Sequence, residues 1–189
     1  MLNRRSLLAA MASLAVLGPA VGPAQAANRT VIDNRVRMAL DQMFAKLPDT
    51  RDLASRARAV LVMPSVLKGG FILGGAYGEG ALLTGGGPAL QGPPAGYYSV
   101  ASASVGLQLG VQSSHHVLFF MTDEALDRFR RADGWEVGAD AEVALPERGM
   151  TLQANSTLMN KPIIGIVFGQ DGFMLGASLE GAKYSQIVR

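Results

Sequence analysis

Apolar residues over 30–47 recur every three or four positions, the spacing that places them on one face of an α-helix. The pattern predicts an amphipathic helix with Thr30 as its N-cap and Pro48 as its stop. Residues 49–57 indicate a second, shorter helix that Asp49 caps. Beyond these helices the repeat shortens to every second residue, which is typical of β-strands.

Short apolar or alternating segments, separated by glycine, proline and polar residues, make up the rest of the chain. They predict strands over 59–63, 71–83, 97–112, 117–121, 135–145, 163–168 and 173–179. A helix over 123–131, capped by Thr122, interrupts them, and Gln170-Asp171-Gly172 is typical of a hairpin turn. We therefore predict an α+β fold, a curled or barrel-like antiparallel sheet of about seven strands with N-terminal helices and one inserted helix.

The first residues have the three parts of a secretory leader. A charged start with Arg4 and Arg5 precedes a short apolar segment over 7–17, and small residues lead to a cleavage site at Ala26. The apolar segment is shorter than the roughly 20 residues of a membrane-spanning helix. The arginine pair resembles a twin-arginine motif, with an ordinary signal peptide as the alternative. We expect a signal peptide over 1–26 and a periplasmic protein that is not a lipoprotein.

Charge and cysteine content narrow the classes of function. The chain has 17 basic and 15 acidic residues, and removal of the leader with its two arginines leaves equal numbers. A general interaction with nucleic acid is therefore not expected. Residues 27–70 carry eight basic and four acidic residues, whereas 71–189 carry seven and eleven. The absence of cysteine excludes disulfides, thiolate metal sites and a lipobox anchor.

Five segments of the chain carry a family resemblance. They are RAVLVMPSVLKGGF (58–71), YGEGALL (77–83), GYYSVASASVGLQLGVQSS (96–114), LFFMTDEALDRFRRADGWEVGADAEVAL (118–145) and PIIGIVFGQDGFMLGASLEGAKYSQI (162–187). In this order they resemble the SYLF domain, a lipid-binding domain also labelled an actin-binding domain of fungal actin-patch proteins. The division expected is a helical arm over 27–57 and a SYLF-like β-rich domain over 58–189, which form one globular unit.

The resemblance implies binding to anionic lipid. Phosphoinositides and actin, the partners of eukaryotic members, are not expected in a periplasm, so affinity for anionic head groups is what carries over. Arginine binds phosphate through two parallel hydrogen bonds. The candidate head-group residues are Lys68, Arg128, Arg130, Arg131, Arg56 and Arg58. A possible ligand mouth comprises Tyr97, Tyr98 and Glu79, and strand alternation places one tyrosine ring inward and the other outward.

Two interpretations of the N-terminal helix remain open. Its apolar stripe either docks on the sheet, as in most amphipathic helices, or lies on a membrane surface. In the second case the basic residues that meet head groups are Arg35, Arg37, Lys46, Arg51, Arg56 and Arg58. Trp135 is expected in the core.

Enzyme chemistry finds little support in the sequence. His115 and His116 are adjacent in a strand, so they point to opposite faces and cannot share a metal ion. No G-x-S-x-G elbow and no glycine-rich nucleotide loop is present. Glu79 is expected as a buried polar anchor rather than a general base. We expect a non-catalytic protein without cofactor or metal; the alternatives are an envelope scaffold that binds a protein partner and, less favoured, a hydrolase.

Overall fold

A computed structural model describes residues 28–70, 73–85, 87, 90, 92–105, 111–145, 160–169, 172–173 and 179–189. Within them the chain forms three helices and eight strands: α1 (Arg29–Lys46), α2 (Thr50–Arg56), β1 (Ala59–Gly70), β2 (Leu73–Thr84), β3 (Gly96–Val105), β4 (Val111–Phe120), α3 (Asp123–Arg131), β5 (Trp135–Glu136), β6 (Ile163–Gly169), β7 (Gly172–Phe173) and β8 (Lys183–Ile187). The antiparallel sheet has the order β5-β8-β3-β2-β1-β4-β6-β7 and is curled into a half-barrel. The predicted fold class is confirmed.

Helix α1 covers one face of the sheet. Its apolar stripe, which includes Ile32, Val36 and Met43, is buried, so in this structure the stripe packs on the sheet. The predicted N-cap is wrong by two positions: the Asn28 side chain, not that of Thr30, accepts the hydrogen bond from the Val31 N–H. None of the described helices is both long and apolar enough to cross a bilayer.

Strand β1 lies at the centre of the sheet and contains a bulge. The prediction that the strand ends at Pro64 is wrong, because the register against both neighbours shifts by one residue there and pairing then resumes. Ser65, at φ 56°, is the one non-glycine residue of the described chain with positive φ. A bulge accommodates a proline, which lacks the N–H that a regular ladder requires. Gly80 allows β2 to lie close to β1, since a Cβ atom on residue 80 would lie 1.9 Å from the Val62 carbonyl oxygen.

Two further strand predictions are wrong in extent. Residues 97–112 do not form one strand but supply β3 and the start of β4, which are separated in the sheet by β2 and β1. The segment 106–110 lies outside the described residues. The predicted strand over 135–145 is regular only at Trp135–Glu136, and strand β8 was not predicted.

The two faces of the sheet carry separate apolar clusters. One lies beneath α1 and α2, and the other lies beneath α3. Phe129 of α3 packs against Tyr98, Phe120 and Trp135 in the second cluster. Trp135 is 1% exposed, which confirms its place in the core. Basic residues of the helices are therefore presented outward on both sides.

Candidate functional site

The three predicted arginines of α3 lie at its C-terminal end. Thr122 caps the helix through a hydrogen bond of 3.2 Å from the Ala125 N–H, and the apolar side packs on the sheet, so the arginines are exposed. Arg131 pairs with Asp127 at 3.8 Å. Arg128 and Arg130 have no acidic partner among the described residues. We call these two residues the α3 arginine pair.

Arg56 and Arg58 are exposed but have acidic partners. Arg56 pairs with Asp52 at 3.0 Å, within α2, and Arg58 reaches Asp123 at 3.6 Å. Asp123 begins α3, whereas the α3 arginine pair lies near the other end of that helix. The structure therefore does not gather these four arginines around one point.

Lys68 is exposed in the second half of β1, beyond the bulge. Ten positions of extended chain separate it from Arg58, which corresponds to about 30 Å. The two side chains therefore belong to opposite ends of the strand and cannot bind one head group together.

Tyr97 and Tyr98 point to opposite faces of the sheet. Tyr98 is 4% exposed beneath α3, with its ring centroid 4.8 Å from that of Phe129. Burial raises the pKa of Tyr98, and the nearby charge of Arg130 lowers it. Tyr97 faces α1, where its hydroxyl donates to Asp33 Oδ1 at 3.0 Å. Burial and the contact with Asp33 raise the pKa of Tyr97.

Glu79 is held by two neighbours. Its Oε1 accepts a hydrogen bond from the Tyr77 hydroxyl at 2.7 Å and pairs with an Arg189 guanidinium nitrogen at 2.5 Å. The Glu79 and Arg189 side chains are 12% and 17% exposed. Burial, followed by the contact with Glu79, raises the pKa of Tyr77. Glu79 is thus a paired, largely buried anchor between β2 and the end of the chain.

A cleft of about 740 Å³ opens where α1 meets the start of β3 and the residues after β8. We call it the arginine cleft. Its described lining consists of Arg29, Asp33, Arg37, Pro93, Pro94, Ala95, Gly96, Tyr97, Gln186, Ile187, Val188 and Arg189. The Arg29 guanidinium carbon lies 5.8 Å from the Tyr97 ring centroid, and Arg29 Nε donates to the Arg189 backbone oxygen. Three guanidinium groups therefore meet one carboxylate in its wall.

A second cleft, of about 680 Å³, lies further along α1. We call it the second cleft; charged side chains line it together with Phe44 and with leucine and alanine residues that are themselves buried. Its described lining consists of Arg37, Leu40, Asp41, Phe44, Arg51, Ala54, Gly87 and Leu90. The Arg51 guanidinium carbon lies 4.8 Å from the Phe44 ring centroid, a cation–π distance. The two clefts share Arg37.

Of the predicted ligand-mouth residues, Tyr97 lines the arginine cleft and Glu79 holds Arg189 in its wall. Tyr98 lies on the other face. Sequence reasoning missed Arg29 and Arg189. The available signal was the helical spacing of Arg29, Asp33 and Arg37, each four residues after the last. No local pattern places Arg189, because its partner lies 110 positions away.

The two histidines lie on opposite faces of β4, as predicted. The His115 ring stacks on Phe168 at 4.8 Å, and its Nδ1 accepts a hydrogen bond from the Ser65 N–H at 3.3 Å. His116 Nε2 lies 3.0 Å from Ser114 Oγ, and burial lowers the pKa of His116 to about 4. Among the described residues no three histidine, aspartate or glutamate side chains converge as a metal site would require.

Comparison with known proteins gives a consistent family. Residues 101–187 match the Ysc84 family, described as Las17-binding protein actin regulator. Over 134 residues, 68% of this chain, the sequence is 26% identical to SH3 domain-containing YSC84-like protein 1 of Bos taurus and 25% identical to that of Pongo abelii. The mouse protein of the same name is also 26% identical over 134 residues. The match spans 37% of the length of these curated relatives.

The matched segment begins in β3 and ends with β8, so it contains α3 and strands of both sheet halves. The predicted resemblance to the SYLF domain is confirmed as a similarity to the Ysc84 family. This family is one of binding domains rather than a known enzyme family. Residues 101–187 are thus similar to the Ysc84 family, in agreement with the SYLF resemblance of the sequence.

Proposed function

We infer that this protein is exported and binds the anionic head groups of lipids, without catalysis. The main support for this proposal is the α3 arginine pair, two exposed guanidinium groups without an acidic partner in the described chain. Each basic residue close to an anionic surface contributes about 1 kcal/mol. The paired residues Arg56, Arg58 and Arg131, and Lys68 on its own strand, are secondary contacts in this proposal.

The packing of α3 supports a fixed head-group surface. Phe129, in the middle of the helix, is 1% exposed and contacts three other aromatic rings. The helix backbone is therefore anchored, so the arginine side chains are the part of α3 that must become ordered when they bind phosphate. Guanidinium groups suit this role because each one forms two parallel hydrogen bonds to a phosphate.

Co-sedimentation with vesicles tests the proposal. Protein produced from the full chain should bind vesicles that contain phosphatidylglycerol more tightly than vesicles of phosphatidylcholine, and added salt should weaken binding. The double variant Arg128→Ala/Arg130→Ala should reduce the affinity by about 30-fold, since two contacts of about 1 kcal/mol are lost. The matched control Arg56→Ala removes an arginine that is already paired, so it should have a small effect.

Sedimentation that depends neither on the acidic lipid content of the vesicles nor on the salt concentration would contradict the proposal. The second candidate, a scaffold that binds an envelope protein, would then be favoured. It has one structural observation in its support: Leu67 and Tyr77 are paired in register on β1 and β2 and are 54% and 52% exposed. Pull-down with Leu67→Ser/Tyr77→Ser would identify a partner that depends on this apolar pair.

Export belongs to the same proposal and rests on the leader pattern of residues 1–26. Replacement of Arg4 and Arg5 by lysine should retain the precursor in the cytoplasm, because twin-arginine transport reads the arginine pair. Cell fractionation measures the outcome. Unchanged export of the variant would indicate an ordinary signal peptide, and retention of the unaltered chain in the cytoplasm would remove the periplasmic assignment.

A further inference from the structure

We propose that the second cleft binds a small amphoteric molecule that carries one ammonium and two anionic groups, as an acidic amino acid does. The phosphoserine head group of a lipid has the same chemistry, and binding experiments distinguish these two sources. The cleft volume of about 680 Å³ falls within the roughly 300–1,000 Å³ of small-molecule sites. The site lies on the face of the sheet that α1 covers, so it goes beyond the proposed role of the α3 arginine pair on the other face.

Three exposed charged side chains line the second cleft without pairing with one another. They are Arg37, Asp41 and Arg51, and none of them forms a hydrogen bond or an ion pair with a described residue. Arg37 and Asp41 are four residues apart on α1, a spacing at which an ion pair is weaker when the basic residue precedes the acidic one. Two guanidinium groups and one carboxylate are therefore available to the same ligand.

Phe44 holds one of these guanidinium groups in place. The Arg51 guanidinium carbon lies 4.8 Å from the centroid of the half-buried Phe44 ring. Stacking on the ring uses the face of the guanidinium, so the N–H groups at its edge can still bind a carboxylate or a phosphate through two parallel hydrogen bonds. The backbone of Arg51 is also fixed, because Leu53 and Ala54 of α2 are buried in the cluster beneath α1.

The balance of charge in the second cleft specifies the class of ligand. A simple anion would be attracted by the two arginines but repelled by Asp41, and a simple cation would be repelled by both arginines. An uncharged molecule would displace water from three charged groups without replacing its hydrogen bonds. A molecule with one ammonium and two anionic groups complements all three side chains, so the same charges that attract it also discriminate against the other classes.

Titration with L-glutamate, followed through the amide chemical shifts of the protein, tests the inference. Protein produced from the full chain should show saturable shifts at the residues that line the second cleft. Glutarate lacks the ammonium group and glutamine lacks one of the two carboxylates. Each should bind about tenfold or more weakly than glutamate, because each loses one charged hydrogen-bonded contact.

Substitutions assign the groups of the ligand to side chains of the cleft. Asp41→Asn should weaken the binding of glutamate by about tenfold or more without weakening that of glutarate, because only glutamate has the ammonium group that Asp41 binds. Arg37→Ala should weaken the binding of both molecules. The matched controls are Glu124→Gln and Arg35→Ala, which change exposed charged residues that line neither cleft. Both controls should leave the affinity for glutamate unchanged.

A parallel titration with glycerophosphoserine identifies the source of the ligand. Tighter binding of glutamate than of glycerophosphoserine would support the inference and indicate a site for free amino acids. Tighter binding of glycerophosphoserine, together with sedimentation on phosphatidylserine vesicles that Asp41→Asn weakens, would support the inference and indicate a lipid head group.

Three results would overturn the inference. They are the absence of saturable shifts with both glutamate and glycerophosphoserine, equal affinities for glutamate and glutarate, and affinities for glutamate that neither Arg37→Ala nor Asp41→Asn changes. The variant Arg128→Ala/Arg130→Ala should keep its affinity for glutamate, because its arginines lie on the other face of the sheet. Loss of vesicle binding in that variant and loss of glutamate binding in the cleft variants are therefore separate observations.

Discussion

At the scale of single residues, His116 illustrates how burial controls charge. The residue adjoins Ser114 in a largely apolar environment, and its Nδ1 is buried without a partner among the described residues. Burial, and to a lesser extent the charge of His115, lower its pKa to about 4 from an ordinary value of 6.5. The folded protein therefore holds this imidazole neutral under mildly acidic conditions in which an exposed histidine would be charged.

This shift predicts a loss of stability in acid. Because the unfolded chain binds a proton near pH 6.5 and the folded chain only near pH 4, the free energy of unfolding should fall as the pH decreases across that interval. The loss attributable to His116 is on the order of 3 kcal/mol. Urea unfolding at several pH values measures it. His116→Gln should flatten the profile, and an unchanged profile in that variant would contradict the assignment.

At the scale of elements, α1 shows that a helix boundary depends on which side chain reaches the first free N–H groups. Both Asn28 and Thr30 are residues that favour N-caps. The sequence pattern favoured Thr30, but helical geometry already begins at Arg29, and the Asn28 side chain accepts from the Val31 N–H at 3.0 Å. Thr30 is exposed within the first turn.

The two candidate N-cap residues of α1 predict different losses of stability when they are replaced by alanine. Asn28→Ala should lower the free energy of unfolding by about 1 kcal/mol, because an N–H of the first turn loses its acceptor. Thr30→Ala should change it by less than about 0.5 kcal/mol, as expected of an exposed position without a cap. Thermal unfolding of the two variants side by side provides the measurement. A larger loss in Thr30→Ala would show that the helix begins two residues later.

At the scale of the whole molecule, the Glu79–Arg189 pair connects the middle of the sheet to the end of the described chain. Glu79 is on β2, and β3 lies between that strand and β8. The pair also fixes one wall of the arginine cleft, since Arg189 lines it. Stability and the shape of the candidate site are therefore coupled.

A double-mutant cycle tests this coupling. Arg189→Gln leaves a largely buried carboxylate without its counter-charge, and we expect a loss of about 2–3 kcal/mol. Glu79→Gln/Arg189→Gln removes both charges and should cost less than the sum of the single variants, with an interaction energy of about 1 kcal/mol or more. Chemical denaturation measures all four proteins. Strict additivity would show that the two side chains do not interact in solution.

Local periodicity was sufficient for much of the fold. The apolar stripe of α1, the Thr122 cap of α3 and the β6–β7 hairpin pairing all depend on residues close in sequence. The opposite orientations of Tyr97 and Tyr98 follow in the same way from strand alternation. The sequence by itself therefore determined the three helices, most of the strands, the buried faces of these elements and the family resemblance.

The order of the strands and the clefts depended on the tertiary structure. Strands β3 and β4 are near in sequence but lie on opposite sides of the β1–β2 pair, and Pro64 lies within a bulge that only two neighbouring strands define. Arg189 meets Glu79 across 110 positions of chain. Such contacts arise because distant segments bury apolar surface together, and no local spacing of residues carries that information.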